Sequence, residues 1–167
     1  MQTVPDSLFR PASVAIIGAG EKPGQIGSGL CRSITDGFRG PVFYVNPQYR
    51  TLWGGPCYAS ILEVPQRVSH AVIAVNRSRV LPCLRQCAQA GVRHVIVISA
   101  GFKETDAEGA ALEAEMTALC ERENMVLLGP NTLGLINTAA RFNCTFLPDH
   151  ILPGKVSVIS QSGGVGM

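Results

Sequence analysis

Charge is scarce in this sequence. Only 16% of its 167 residues are Asp, Glu, Lys or Arg, against about 25% in an average soluble domain. The 14 basic and 12 acidic residues nearly cancel, leaving +2, so there is no basic footprint for nucleic acid and no acidic tail. No apolar run reaches the roughly 18 residues of a membrane span. The opening, Met1-Gln2-Thr3-Val4-Pro5-Asp6, lacks the basic start and apolar stretch of a secretory signal. These absences predict a cytoplasmic protein with no nucleic-acid or membrane partner. Its cysteines, Cys31, Cys57, Cys83, Cys87, Cys120 and Cys144, are then expected as reduced thiols. Cys83 and Cys87 share a helical face, but no further ligand is spaced to help them hold a metal, so they read as small buried hydrophobes. A P-loop is missing, because no G-x-x-x-x-G-K-[ST] occurs. The nucleophile elbow G-x-S-x-G is missing too, since Ser162 follows Ser160 rather than glycine.

Apolar residues (46%) and glycine (18 residues) are what the chain has instead. The glycines have no period, which excludes collagen-like and low-complexity readings; they fall mostly at the ends of apolar runs. Val14–Ile17, Val42–Val45, Ala71–Val75, Val95–Ile98 and Val126–Leu128 are short and rich in β-branched residues, and read as buried strands. Between them lie helical patterns. Ile26, Leu30 and Ile34 recur at i, i+4, i+8, with Gly37 as the expected cap. Val80, Leu84 and Cys87 follow a cap expected at Ser78, with Pro82 in the first turn and Gly91 at the end. Thr105-Asp106-Ala107-Glu108 fits a capping box before a helix to about Glu123. Leu52–Cys57 reads as an extended loop, followed by a brief helix near Ser60 to Glu63. Strands apolar on both faces, alternating with amphipathic helices, predict an α/β fold: a doubly wound, Rossmann-like parallel sheet. A sixth apolar run, Val156–Ser160, leads to Ser162-Gly163-Gly164. It predicts the first strand of a second, truncated α/β unit, so residues 1–150 read as one domain and 151–167 as a linker with the start of another.

Ligands of doubly wound sheets bind beyond the carboxyl ends of the strands. Here those ends are Gly18–Gly24, Asn46-Pro47-Gln48, Asn76-Arg77-Ser78, Ser99–Phe102 and Gly129-Pro130-Asn131. The first is the phosphate-cradle candidate, since glycines allow a sharp turn and a helix N-terminus offers amide groups to an anion. The dinucleotide fingerprint fails twice: Pro23 stands at its third glycine, and the second strand ends in Val45-Asn46-Pro47 with no acid for a ribose hydroxyl. Arg50 could serve a 2′-phosphate, but the loop mismatch remains. The loops therefore predict a phosphate-bearing nucleotide other than NAD.

The string Leu8-Phe9-Arg10-Pro11-Ala12-Ser13-Val14-Ala15-Ile16-Ile17-Gly18-Ala19 resembles the opening of the coenzyme A–binding domain of NDP-forming acyl-CoA synthetases. That family includes acetate–CoA ligase (ADP-forming) and is related to the succinyl-CoA synthetase α subunit. Val45-Asn46-Pro47, Ile98–Phe102, Gly129–Gly134 and Ile159–Gly163 continue the resemblance in order across nearly the whole chain. It implies that Gly18, Ala19, Gly20, Lys22, Pro23, Gly24, Gln25, Ile26 and Gly27 hold coenzyme A phosphates. By the same resemblance Asn46, Pro47, Gln48, Arg50, Val75, Asn76 and Arg77 contact the nucleotide half, and Ser99, Ala100, Gly101, Phe102, Pro130 and Asn131 lie towards the pantetheine arm. Ser160, Ser162 and Gly163 match the turn that holds the phosphate of a phosphohistidine. Lys22, Arg50, Arg77 and Arg79 are the cations at hand.

Three positions depart from the family pattern. Gln48 stands where lysine is common, Asn76 where proline is, and Thr132 where cysteine is; the first two put the strength of the grip in question. No catalytic residue is assigned. His70 and His94 precede strands at the end opposite the site, and His150 lies in the inter-domain stretch. The resemblance implies that phosphohistidine and ATP-grasp parts, which use ATP and ADP, lie in further domains or a β-like subunit. Two other outputs share the binding domain: a coenzyme A sensor ahead of a protein-lysine acetyltransferase, and a stand-alone nucleotide-binding regulatory module.

Overall fold

The computed structural model describes residues 5–147 and 151–163. Its centre is a seven-stranded sheet in the order β3-β4-β2-β1-β5-β6-β7. The strands are β1 Val14–Ile17, β2 Val42–Val45, β3 Thr51–Leu52, β4 Gly55–Tyr58, β5 His70–Ile73, β6 His94–Val97 and β7 Val126–Leu128. Three helices connect them: α1 Ile26–Gly37, α2 Arg77–Gln89 and α3 Ala107–Arg122. A separate antiparallel pair, β8 Ile136–Asn137 with β9 Phe142–Asn143, follows. Every ladder in the main sheet is parallel except the β3–β4 hairpin.

The expected five parallel strands are all present, and the α/β, Rossmann-like reading holds. One strand was not anticipated. Leu52–Cys57 is not a loop; it turns at Trp53-Gly54 and returns as β4, parallel to β2. Counting β4, the six parallel strands take the order 3-2-1-4-5-6 that dinucleotide-binding folds use, reversing between β1 and β5.

The strands bury both faces because successive side chains alternate. Val14 and Ile16 pack with Leu30, Cys31 and Ile34 of α1. Ala15 and Ile17 pack with Val80, Leu84 and Cys87 of α2 and Met116 and Leu119 of α3. The α1 face has one helix where the other has two, and the β8–β9 hairpin fills the remainder with Phe142 and Cys144, both fully buried. Gly29 and Gly37 let the hairpin approach α1: a Cβ on either would lie 2.8 Å from a carbonyl oxygen, that of Phe146 or Arg141.

Helix ends differ from expectation by one or two residues. Gly37 is the last helical residue rather than a left-handed cap, and Phe38 closes α1 by donating to the Ile34 carbonyl. Asn76, not Ser78, caps α2, accepting from the Ser78 amide, so Pro82 falls in the second turn. Asp106, not Thr105, caps α3, accepting from Gly109. Gly91 follows α2 at φ +71, as a C-terminal glycine should. All six cysteines are free thiols, and burial pushes Cys31 up to about 11 and Cys144 up to about 12.

Residues 156–160 form no strand. Val156, Val158 and Ile159 are 87%, 78% and 100% exposed. A parallel strand holds only against a neighbour that takes its backbone hydrogen bonds, and no described strand lies beside this one.

Candidate functional site

Where the strand order reverses, the loops leaving β1 and β5 turn to opposite faces and part. The gap is a cleft of about 480 Å³ at the carboxyl end of the sheet. Its lining is Ile26 at the start of α1, Ala74–Arg77 after β5, and Ile98–Gly101 after β6.

One wall is the β1–α1 loop. Gly18 has φ +91, and a Cβ there would lie 2.2 Å from the Ala74 carbonyl oxygen. Gly27 abuts in turn, its virtual Cβ 2.0 Å from the Gly18 carbonyl oxygen. Backbone therefore crosses backbone beside Ala74, which lines the cleft, and only glycine permits the crossing. Beyond this crossing, Glu21 to Ile26 are exposed. Gly24 has φ +80 with nothing within 4 Å of a virtual Cβ. Gln25 precedes α1 without a side-chain cap, the arrangement in which a helix N-terminus accepts an anion.

The loop is tethered from the β2 side. Asn46 donates through Nδ2 to the Ala19 carbonyl at 2.8 Å. Trp53 Nε1 donates to the Gly20 carbonyl at 2.9 Å, and the Trp53 amide donates to the Glu21 carboxylate. Trp53 has φ +51 and Gly54 φ +75, the positive pair that a two-residue type I′ hairpin turn requires. A left-handed conformation costs a non-glycine residue about 1–2 kcal/mol.

The opposite wall is bound by its own contacts. Ser99 Oγ donates to the Val75 carbonyl at 2.6 Å and accepts from the Val75 amide at 3.1 Å, pinning the two loops together. Arg77 reaches the Gly101 carbonyl, Asp106 and Glu108 at 2.8 to 2.9 Å. Its hydrogen bond holds the Asp106 carboxyl below the usual range. Glu104 is lowered likewise, chiefly by the Gly101 amide. The two sides of the cleft thus differ in charge. Lys22 and Arg50 stand on the β1–β2 side beside Glu21 and form no ion pair among the described residues, while on the other side Arg77, Arg79 and Lys103 stand with Glu104, Asp106 and Glu108, and Arg77 and Lys103 are held in ion pairs.

The cleft brings together Ile26, Val75, Asn76, Arg77, Ser99, Ala100 and Gly101 of the sequence-derived set. Asn46, Pro47, Gln48 and Arg50 form the adjoining loop, where Gln48 donates its amide to Asn46 Oδ1. Phe102 does not face the cleft: it is 1% exposed and belongs to the α2–α3 core, drawn under by the tight crossing of Gly109. Pro130 and Asn131 lie behind Ser99, whose carbonyl accepts the Asn131 amide at 2.9 Å. Ser160 and Ser162 bond each other in an exposed turn, and with Gly163 stay outside the cleft lining. His70 and His94 stack at the opposite end of the sheet, ring centroids 4.5 Å apart, and His150 lies outside the described residues. Arg77 is not an available cation, because its acidic partners occupy it. Trp53 gave no sequence signal of its role, because tryptophan is not a residue that a turn with positive φ favours.

Residues 12–138 match the profile of a family described as CoA binding domain. The chain belongs to that family. This CoA-binding domain is 41% identical over 158 residues to acetate–CoA ligase (ADP-forming) I of Archaeoglobus fulgidus, covering 95% of the chain and 23% of that protein. It is 37% identical over 160 residues to 4-hydroxybutyrate–CoA ligase (ADP-forming) of Nitrosopumilus maritimus, with the same two coverages, 95% and 23%. Among solved structures it resembles the dinucleotide-forming acetyl-coenzyme A synthetase 1 of Ca. Korarchaeum cryptofilum, in complex with phosphate and ADP. The TM-score is 0.91 at 40% identity, over 96% of this chain and 34% of that one. The chain thus spans about a quarter of the length of the two curated relatives. No helix among the described residues is long and apolar enough to cross a membrane.

Proposed function

We propose that the domain binds coenzyme A across the cleft between β1 and β5, as the N-terminal part of a cytoplasmic acid–CoA ligase of the ADP-forming type. The observation that carries this reading is the uncapped start of α1 behind an open glycine turn, beside two cations that no ion pair among the described residues occupies. A polyanionic nucleotide fits the side bearing Lys22, Arg50 and the uncapped start of α1, where amide groups and cations stabilise phosphate. On the other side Arg77 and Lys103 are already neutralised by acids. Its lining of Val75, Ile98 and Ala100 suits the neutral pantetheine arm, with Ile26 facing it from the start of α1. In this reading Ser99 and Arg77 shape the wall rather than touch phosphate, and Asn46 and Trp53 fix the loop that does. The parent reaction is acid plus ATP plus coenzyme A to acyl-CoA, ADP and phosphate. ATP-grasp and phosphohistidine parts in further domains or a β-like subunit supply its chemistry, so this chain alone binds without catalysing. Residues 151–167 are the linker and start of the next α/β unit, where Ser160, Ser162 and Gly163 await the phosphate of that intermediate.

Calorimetric titration of the purified chain tests the reading. Coenzyme A is expected to bind and NAD(H) to give no measurable heat; equal or tighter NAD(H) binding overturns the assignment. Gly24→Val is expected to weaken coenzyme A about tenfold or more, by placing a β-branched side chain over the open face of the loop. Unchanged affinity in that variant removes the loop from the site.

A further inference from the structure

Trp53 is a poor choice for its own position. The turn needs positive φ at residues 53 and 54, for which asparagine followed by glycine is the favoured pair. The residue is 39% exposed and is not part of either core cluster. Neither turn geometry nor core packing explains a tryptophan here. What the residue does is reach across to the β1–α1 loop with two donors, the ring N–H to Gly20 and the backbone N–H to the Glu21 carboxylate. A non-glycine residue held at positive φ where its side chain serves a neighbouring loop is a pattern of functional sites.

We propose that Trp53 is a positioning residue. Its ring N–H holds the β1–α1 loop in its ligand-accepting shape, while the backbone N–H at the turn, which any residue but proline supplies, holds the Glu21 carboxylate. The inference rests on the coenzyme A reading for its effect on affinity, but not for its effect on the loop. It also separates function from stability, because the residue best for the turn is worst for the loop.

Two variants test it. Trp53→Asn installs the favoured turn residue and removes the ring donor; Trp53→Phe keeps an aromatic ring without the donor. In the ligand-free protein, hydrogen exchange of the buried Ala19 and Gly20 amides and of the bonded Gln25 amide is expected to quicken about tenfold in both, with the rest of the sheet unchanged. The melting temperature of Trp53→Asn is expected to equal or exceed that of the wild type. Coenzyme A should bind both variants about tenfold more weakly than wild type by calorimetry. Unchanged exchange in the loop overturns the proposal, as does a general rise in exchange with a lowered melting temperature, which marks an ordinary stabilising contact. Faster loop exchange with unchanged coenzyme A affinity overturns the link to binding. A wild-type protein that binds no coenzyme A overturns the site reading itself, and the exchange result then decides the loop assignment alone.

Discussion

Gly18→Ala is expected to destabilise the domain by about 2–5 kcal/mol, the sum of a positive-φ penalty and overpacking against backbone. The added methyl would sit 2.2 Å from the Ala74 carbonyl oxygen and 2.8 Å from its carbon. Neither atom can swing aside, because Ala74 continues β5 and its amide already bonds the Ile17 carbonyl at 2.8 Å. The β1 and β5 ends would have to separate, and they form the two walls of the cleft. Urea unfolding checks the size of the effect. Gly24→Ala provides the contrast: φ there is +80 but the surroundings are open, so only the backbone penalty of about 1–2 kcal/mol applies. Equal losses at the two positions would show that the crossing at Gly18 does not hold the ends of β1 and β5 together.

A second large effect should come from acid. His70 is 1% exposed and lies against the His94 ring, the Ser69 hydroxyl, the Leu8 carbonyl and the edge of Phe142. No carboxylate is among these neighbours. Burial, with His94 adding to it, lowers His70 from 6.5 to about 4. His94 is also lowered by burial, and its Nδ1 has no hydrogen-bond partner. Above pH 6.5 His70 is neutral in folded and unfolded chains alike, and stability is at its full value. Between 6.5 and about 4 the unfolded chain takes up a proton that the folded one refuses, so stability falls with pH. At about 1.4 kcal/mol per tenfold change in proton affinity, His70 contributes about 3 kcal/mol to that loss. Urea midpoints measured from pH 8 to pH 4 should fall less steeply for His70→Gln than for the wild type. Parallel curves would show that the buried imidazole does not set the acid sensitivity.

The strands β1, β2, β5, β6 and β7 could be read directly because each carries an unbroken apolar run, after a leading histidine in β5 and β6. The hairpin of β3 and β4 could not. Its strands are short, they carry Gly55 and Pro56, and their pairing depends on a left-handed tryptophan that no propensity favours. Asn76 and Asp106 took the caps from Ser78 and Thr105 because each accepts the amide two or three residues on. Glu108, expected to close a capping box, faces Arg77 instead. The positions of the site loops followed from topology alone. What each side chain does there did not: Phe102 turned into the core, Arg77 was taken by acids, and the Ser99 hydroxyl was absorbed by Val75. Those outcomes depend on neighbours distant in sequence.

The unequal charge of the two cleft walls also bears on how a ligand arrives. A polyanion approaching from solvent feels attraction at Lys22 and Arg50, whereas Arg77 and Lys103 of the other wall are already paired with acids. It is turned phosphate-first while still a Debye length away, about 10 Å at 0.1 M salt. Orientation is then settled during encounter, and ionic strength governs how fast the complex forms more than how long it lasts.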